Sequence, residues 1–181
     1  MIITPRLYLQ PATRDLLRAE LEQPAEFRRL LGVHVPDEWP PELYDEAAIR
    51  FTLRQYEVAP GCEAWWVHYC VLRDGSEPTL IGVTGYKGPP SAGCVEVGYG
   101  ILPQYRRMGY ATEATSGMVA HAFATPGVNR VAAETYPHLT ASIGVMVKCG
   151  FVFVGEGAEP GVIRYEVTRE DWSGRTGSAV R

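Results

Sequence analysis

Apolar positions along this chain alternate between a period of two and a period of three to four, and each switch marks a new element. Leu7 and Leu9 alternate with polar neighbours and predict a first strand. Thr13 is placed to cap a helix running to about Glu22, and Pro24 to open a second, short one. After Pro40 and Pro41, residues Leu43, Ala47, Phe51 and Val58 fall roughly on one helical face and predict a helix to about Val58. Ala64 to Arg73 is aromatic and β-branched, hence a strand. A turn beginning at Asp74-Gly75 leads into TLIGVTGYKG and completes a hairpin. Beyond a loop from Pro89 to Gly93, a further strand covers Cys94 to Leu102. Ala111, Ala114, Met118 and Ala122 then keep helical spacing, with an end expected near Pro126-Gly127. Asn129 to Tyr136 reads as a strand, followed by a helix to Lys148 with Gly150 as its left-handed C-cap. GFVFVGEG and VIRYEVT give two final strands, expected to pair antiparallel. With no repeat and no linker, the pattern predicts one mixed α/β domain over residues 1–172, and a polar, disordered tail over 173–181.

Composition narrows the class. The chain has 181 residues, 46% hydrophobic and 21% charged, enough for one proper core. A net charge of −4 argues against broad nucleic-acid binding. No apolar run approaches the roughly 20 residues of a membrane helix. MIITPRLYLQ is too short and too alternating for a signal peptide, so a cytoplasmic location is expected. Cys62, Cys70, Cys94 and Cys149 lack C-x-x-C spacing and read as reduced core residues. The four histidines are scattered without ligand spacing, and His68 with Cys70 two residues on does not make a zinc site. No metal is expected.

The chemistry concentrates in YRRMGYATEA, residues 105–114, between a glycine-punctuated strand and a helix. The first N–H groups of a helix lack intrahelical partners, and the macrodipole favours negative charge there. Gly109 has no Cβ to keep a phosphate away, and Arg106 and Arg107 carry charge that pairs with phosphate oxygens. The nucleotide-triphosphate loop is excluded, because no Lys followed by Ser or Thr comes after the glycine. The dinucleotide fingerprint fails as well, because Pro103 stands where its third glycine belongs. The R-x-x-G-x-A of Arg106, Gly109 and Ala111 resembles the coenzyme A loop of the GNAT superfamily of N-acetyltransferases. The longer string GYGILPQYRRMGYATEA is similar to the branch that includes ribosomal-protein N-terminal acetyltransferases.

That resemblance covers about Ala64 to Val167. It implies an α+β fold: a mixed, mostly antiparallel sheet of six to seven strands flanked by helices. Its fourth strand is bulged and splays from the fifth, and the pantetheine arm of acetyl-CoA lies in the gap. It further implies Arg106, Arg107, Met108, Gly109, Tyr110, Ala111 and Thr112 as cofactor-binding residues. Ile101 and Leu102 would offer backbone groups to the pantetheine and the thioester carbonyl. Strand alternation puts Val95, Val97, Tyr99 and Ile101 on one face and Glu96, Gly98 and Gly100 on the other, where the glycines leave a groove.

Acetyl transfer to an amine needs a proton acceptor more than a donor, because a thiol of pKa near 8.5 leaves readily. Glu96 and Glu134 are both placed for that role, directly or through a water. The family pattern N-x-x-S followed by K-x-G-F is matched at Ser142, Lys148, Gly150 and Phe151, but Leu139 stands at the asparagine position. One cofactor hydrogen bond is thereby forfeited unless His138 replaces it. Ser142 would orient the departing thiolate rather than protonate it, and Tyr136 is a second nearby hydroxyl. The first sixty residues would line the acceptor pocket, with Trp39, Tyr44, Asp37, Glu38 and Asp45 suited to a cationic amine. The implied partners are an amine acceptor (a protein N-terminus or a small molecule, an antibiotic amine included) and a second copy in a homodimer, with neither nucleic acid nor membrane. A non-catalytic acyl-CoA-binding module is the alternative from another class.

Overall fold

In the computed structural model, residues 1–178 are described apart from Asp74 and Ser76, so the first residue of the expected Asp74-Gly75 turn lies outside the described residues. Eight strands form a single sheet: β1 (Ile2–Ile3), β2 (Leu7–Pro11), β3 (Val67–Leu72), β4 (Thr79–Tyr86), β5 (Cys94–Ile101), β6 (Arg130–Thr135), β7 (Val152–Glu156) and β8 (Ile163–Thr168). Their order across the sheet is β1-β2-β3-β4-β5-β6-β8-β7. All pairs are antiparallel except β5 with β6. The two-residue β1 adds one strand to the expected number and shifts the expected fourth and fifth strands to β5 and β6.

Helices cover both faces. On one side α4 (Tyr110–Ala124) and α5 (Thr140–Lys148) bury Met118, Ala122 and Met146 against Leu7, Leu9, Val95, Val97 and Val131. On the other, α1 (Arg14–Glu22), α2 (Pro24–Leu31) and α3 (Glu46–Val58) close over Tyr69, Val71, Leu80 and Val83. Sequence signals set several boundaries. Thr13 Oγ1 accepts from Leu16 N at 3.2 Å and caps α1, and Pro24 opens α2. Gly150, at φ 88°, follows α5 in the left-handed conformation, and Phe151 N returns to Met146 O.

The expected face of α3 is corrected. Leu43 precedes the helix, and Phe51 and Val58 are exposed on it, while Ile49, Thr52 and Tyr56 point inward. Ala47, Phe51 and Val58 do share a face, but the opposite one. The bulkier Tyr56 wins the interior because its hydroxyl also finds the Ala12 carbonyl at 2.8 Å, satisfying a buried polar tip. The tail expected from Ser173 instead continues α6 (Arg169–Ser178), and residues 179–181 lie outside the described residues.

The feature that positions the site is the β5–β6 junction. The two strands pair only at Cys94↔Arg130, Val95↔Val131 and Glu96↔Ala132. Past that point β5 stays with β4, β6 stays with β8, and a wedge-shaped cleft opens between them. The expected bulge in this strand is corrected: β4–β5 pairing runs from Gly82↔Ile101 to Tyr86↔Val97 without a shift. The strands part because pairing stops, not because β5 carries an extra residue. A bulge does occur elsewhere, between Cys70 and Val71.

Candidate active site

Leu102 and a 3₁₀ turn, Pro103–Tyr105, carry the chain from the open end of β5 to α4. Gly109 is the N-cap of α4 at φ 86°, a left-handed conformation that a side chain would strain. A glycine cap offers no side-chain acceptor, so the N–H groups of Tyr110, Ala111 and Thr112 have no capping bond. Arg107 also sits at positive φ, 63°, which stores strain in the loop. A row of uncapped N–H groups at the end of a cleft, with an exposed arginine beside it, fits a phosphate.

Arg106 is engaged within the protein. Its Nε donates to Ile101 O at 2.9 Å and its Nη2 pairs with Glu42 at 2.9 Å. These bonds tie the loop to β5 and to the segment between α2 and α3 through two of the five guanidinium donors.

The loop is held from behind by residues that loop-based reasoning missed. Glu113 accepts from Thr4 Oγ1 at 2.6 Å, from Arg6 N at 2.7 Å and from Arg6 Nε at 2.7 Å. Arg6 also donates to Met108 O at 3.0 Å and covers the Tyr110 ring at 4.4 Å. Met108 and Tyr110 therefore serve the site through this clamp. Burial pushes the Glu113 carboxyl up, but the bonds from Thr4 and Arg6 and the Arg6 charge outweigh it and hold the group below its ordinary range. Glu113 lies within the same motif in the first turn of α4, where the macrodipole favours a carboxylate in any case, so the motif carried no separate signal of the clamp.

Lys87 N donates to Glu96 O and Leu102 N to Ile81 O, so the even-numbered residues of β5 spend their backbone groups on β4. By alternation, Val97, Tyr99 and Ile101 aim theirs at the cleft. Ile101 thus presents its N–H there, with its carbonyl taken by Arg106. At Leu102 the N–H is bound to Ile81 O and the carbonyl accepts from Tyr105 N, both at 2.9 Å, so the N–H is taken and the carbonyl keeps one lone pair for a ligand. The Tyr99 hydroxyl reaches from β5 to the start of α5, bonding the Ser142 carbonyl at 2.9 Å and lying 3.2 Å from Ser142 Oγ. Burial pushes Tyr99 up to about 12, against the opposing effect of its bond to Ser142, so it is protonated at neutral pH.

The two carboxylates share the opposite sheet face with Arg164, but their settings differ. Glu134, its side chain 5% exposed, accepts from Arg164 at 2.9 Å and from Ala158 N at 3.2 Å. Burial raises its pKa, yet those bonds and the charges of Lys87 and Arg164 prevail and lower it. A carboxylate so engaged is a poor proton acceptor. Glu96 forms a close ion pair with Lys87 and lies 3.9 Å from Arg164. Two residues along the same strand face, a Cβ built on Gly98 would meet nothing within 4 Å, so space stands open beside Glu96. Cys94 is half-buried in this charged group, 3.7 Å from Arg164, rather than in an apolar core.

The domain family described as the acetyltransferase (GNAT) domain matches residues 6–152. The chain belongs to the GNAT acetyltransferase family. YjdG of Bacillus subtilis (strain 168), an uncharacterized N-acetyltransferase, is 29% identical over 162 residues, covering 88% of this chain and 94% of YjdG. The fold matches a putative ribosomal-protein-serine acetyltransferase from Vibrio cholerae at TM-score 0.62 and 20% identity, over 92% of this chain and 96% of that one. It also matches the spermidine N-acetyltransferase of Vibrio cholerae in complex with CoA and spermine at TM-score 0.62 and 16% identity, over 93% and 98% of the chains.

Within this GNAT fold the departure at Leu139 has a structural consequence. Leu139 is the N-cap of α5 and makes no side-chain cap bond, where an asparagine could. His138 does not fill the place visibly, since its ring stacks on Tyr136 at 5.6 Å, both side chains being exposed. On the other side of the sheet, Pro41 and the Glu42 carbonyl wall Gly100 at 3.7 and 3.6 Å from its built Cβ. Of the expected acceptor residues, Trp39 and Tyr44 turn inward to the Glu20 carboxylate, Asp45 caps α3, and Asp37 and Glu38 lie on the surface. Among the described residues no group of three or more His, Cys, Asp and Glu is arranged to hold a metal, and no helix is long and apolar enough to cross a membrane.

Proposed function

We propose that this chain is an acetyl-CoA-dependent N-acetyltransferase that moves an acetyl group to a primary amine by direct attack within a ternary complex. The observation that carries the reading is the cleft between β5 and β6, which ends at the uncapped start of α4. Acetyl-CoA bound there supplies the acetyl thioester. The N–H groups of Tyr110, Ala111 and Thr112 take the pyrophosphate, with Arg107 adding charge. The Ile101 N–H is the donor available to the thioester carbonyl.

The acceptor amine approaches over Gly98 and must be neutral to attack. Glu96 is the proton acceptor of this proposal, directly or through a water: it is ion-paired with Lys87, but it lacks the hydrogen bonds from Arg164 and Ala158 that fix Glu134, and it borders the open space over Gly98. As the N–C bond forms, the C–S bond breaks and coenzyme A leaves as the thiolate. Ser142 Oγ offers that sulfur a hydrogen bond, since the Tyr99 proton is held by the Ser142 carbonyl. Full protonation from Tyr99 is uphill, since its pKa of about 12 lies well above that of a thiol. The acceptor is a protein N-terminus or a small amine, in keeping with the two Vibrio relatives of the fold. Thiol release measured over a panel of amines and peptides, with mass spectrometry of the products, tests the reading. Transfer to a hydroxyl alone, or no release with any amine, would overturn it.

A further inference from the structure

Glu20 projects from α1 into the aromatic cluster of the second core. Its carboxylate accepts from Trp39 Nε1 at 2.8 Å, from Tyr44 at 3.0 Å and from Tyr69 at 2.5 Å. All three donors are neutral. Among the described residues no lysine, arginine or histidine forms an ion pair with Glu20, and the one arginine at the pocket, Arg28, pairs with Asp37 at 3.3 Å. The three bonds fix the carboxylate in place but leave its charge uncompensated. It is also not sealed in. A pocket of about 330 Å³ opens beside it, with Phe27 and Trp39 in the wall, their ring centroids 6.3 Å apart; the two other carboxylates at the pocket, Asp37 and Glu46, are paired with Arg28 and Arg50, so Glu20 carries the charge that lacks a counter-ion.

These features select a ligand class. An anion meets the unpaired Glu20 carboxylate, while the charges of Asp37 and Glu46 are already balanced by Arg28 and Arg50. A purely apolar ligand would strip water from a carboxylate without giving it a counter-charge. A hard metal ion needs several converging oxygens, whereas the Tyr44 and Tyr69 hydroxyls are spent as donors to Glu20. An organic cation satisfies everything at once: charge against Glu20, and aliphatic or planar surface against the two rings. At roughly 30 Å³ per water, the pocket has room for about ten waters or one such group.

We propose that the Glu20 pocket is a binding site for an organic cation, an alkylammonium or guanidinium group, separate from the acetyl-transfer cleft. Trp39, in the pocket wall, and Tyr44, which donates to Glu20, bracket Pro41 and Glu42; these two wall Gly100, and Glu42 holds Arg106. The occupied pocket therefore anchors the segment that borders the cleft.

The test uses the full chain without acetyl-CoA, so it does not depend on the acetyltransferase reading. Binding of n-butylammonium and tetramethylammonium is compared with that of 1-butanol by ligand-observed NMR. The ammonium ions should bind at least tenfold more tightly than the alcohol, and Glu20→Gln should lose that preference at least tenfold. Equal binding of butanol, or unchanged binding by Glu20→Gln, overturns the site. Should that variant fail to fold, contacts between tetramethylammonium methyl protons and the Phe27 and Trp39 rings in the unaltered chain decide instead, and their absence overturns it. Butane-1,4-diamine and a peptide carrying one arginine, as further arms, distinguish a small amine from a protein side chain as the source. Cation binding without any acetyl transfer would leave this site standing and remove the proposed enzyme activity.

Discussion

Glu113→Gln tests whether the phosphate loop is held by the N-terminal segment. Glu113 is 13% exposed at its side chain and takes three bonds, from Thr4 Oγ1 and from Arg6 N and Nε. Glutamine keeps one oxygen but turns an NH₂ toward a donor, so at least one bond becomes a donor–donor contact. A hydrogen bond to a charged group contributes about 1.5–3 kcal/mol. The Arg6 guanidinium is 36% exposed, so its Coulombic share is screened and counts for little. A loss of about 2 kcal/mol is the expected net, which for a chain of this size lowers Tm by about 4–8 °C. The pH dependence fixes the sign. The folded pKa of Glu113 lies below its unfolded value of about 4.3, so its stabilisation is complete above that value. It is lost as pH falls through the folded pKa, so the gap between wild type and variant should narrow as pH drops below about 4.3. Calorimetric melting at pH 7 and at pH 3 measures both effects. A variant within 1 °C of wild type at pH 7, or a gap as wide at pH 3 as at pH 7, would refute the clamp. Because Arg6 also holds Met108 O, Arg6→Ala should weaken coenzyme A binding in titration calorimetry.

Gly109→Val should reduce coenzyme A affinity severely, because a β-branched residue resists φ 86° at the N-cap; unchanged affinity by titration would remove the cofactor assignment. Glu96→Gln should lower turnover at least tenfold with coenzyme A affinity intact, whereas Glu134→Gln should chiefly lower Tm by releasing Arg164; equal turnover losses in steady-state assays would count against the division of roles. Leu139→Asn should tighten coenzyme A binding a few-fold, matching one neutral hydrogen bond, and raise Tm slightly by capping α5; a rise in Tm alone would mean that the asparagine caps the helix without reaching the cofactor.

Local sequence determined what local stereochemistry controls. Thr13, Pro24, Gly109 and Gly150 mark helix ends because each satisfies a backbone demand at its own position. The alternation of β5 assigned its two faces, since a period of two leaves no other choice. R-x-x-G-x-A marked the candidate anion site because helix, glycine and spacing lie within one short segment. Tertiary structure decided whatever depends on partners distant in sequence. Arg106 gained loop-tying bonds to Ile101 and Glu42 that nothing in its motif announced, and Leu102 lost its N–H to Ile81. Glu96 and Glu134 read alike along the chain. They separate only because Arg164 and Ala158 converge on Glu134, while space opens beside Glu96. Glu20 gave no sign as one acidic residue on an amphipathic helix, for its three donors come from positions 39, 44 and 69. Sequence period fixes which way a side chain faces. Only the fold fixes what it meets there, because the groups that compete for a charge or a hydrogen bond are brought together by packing.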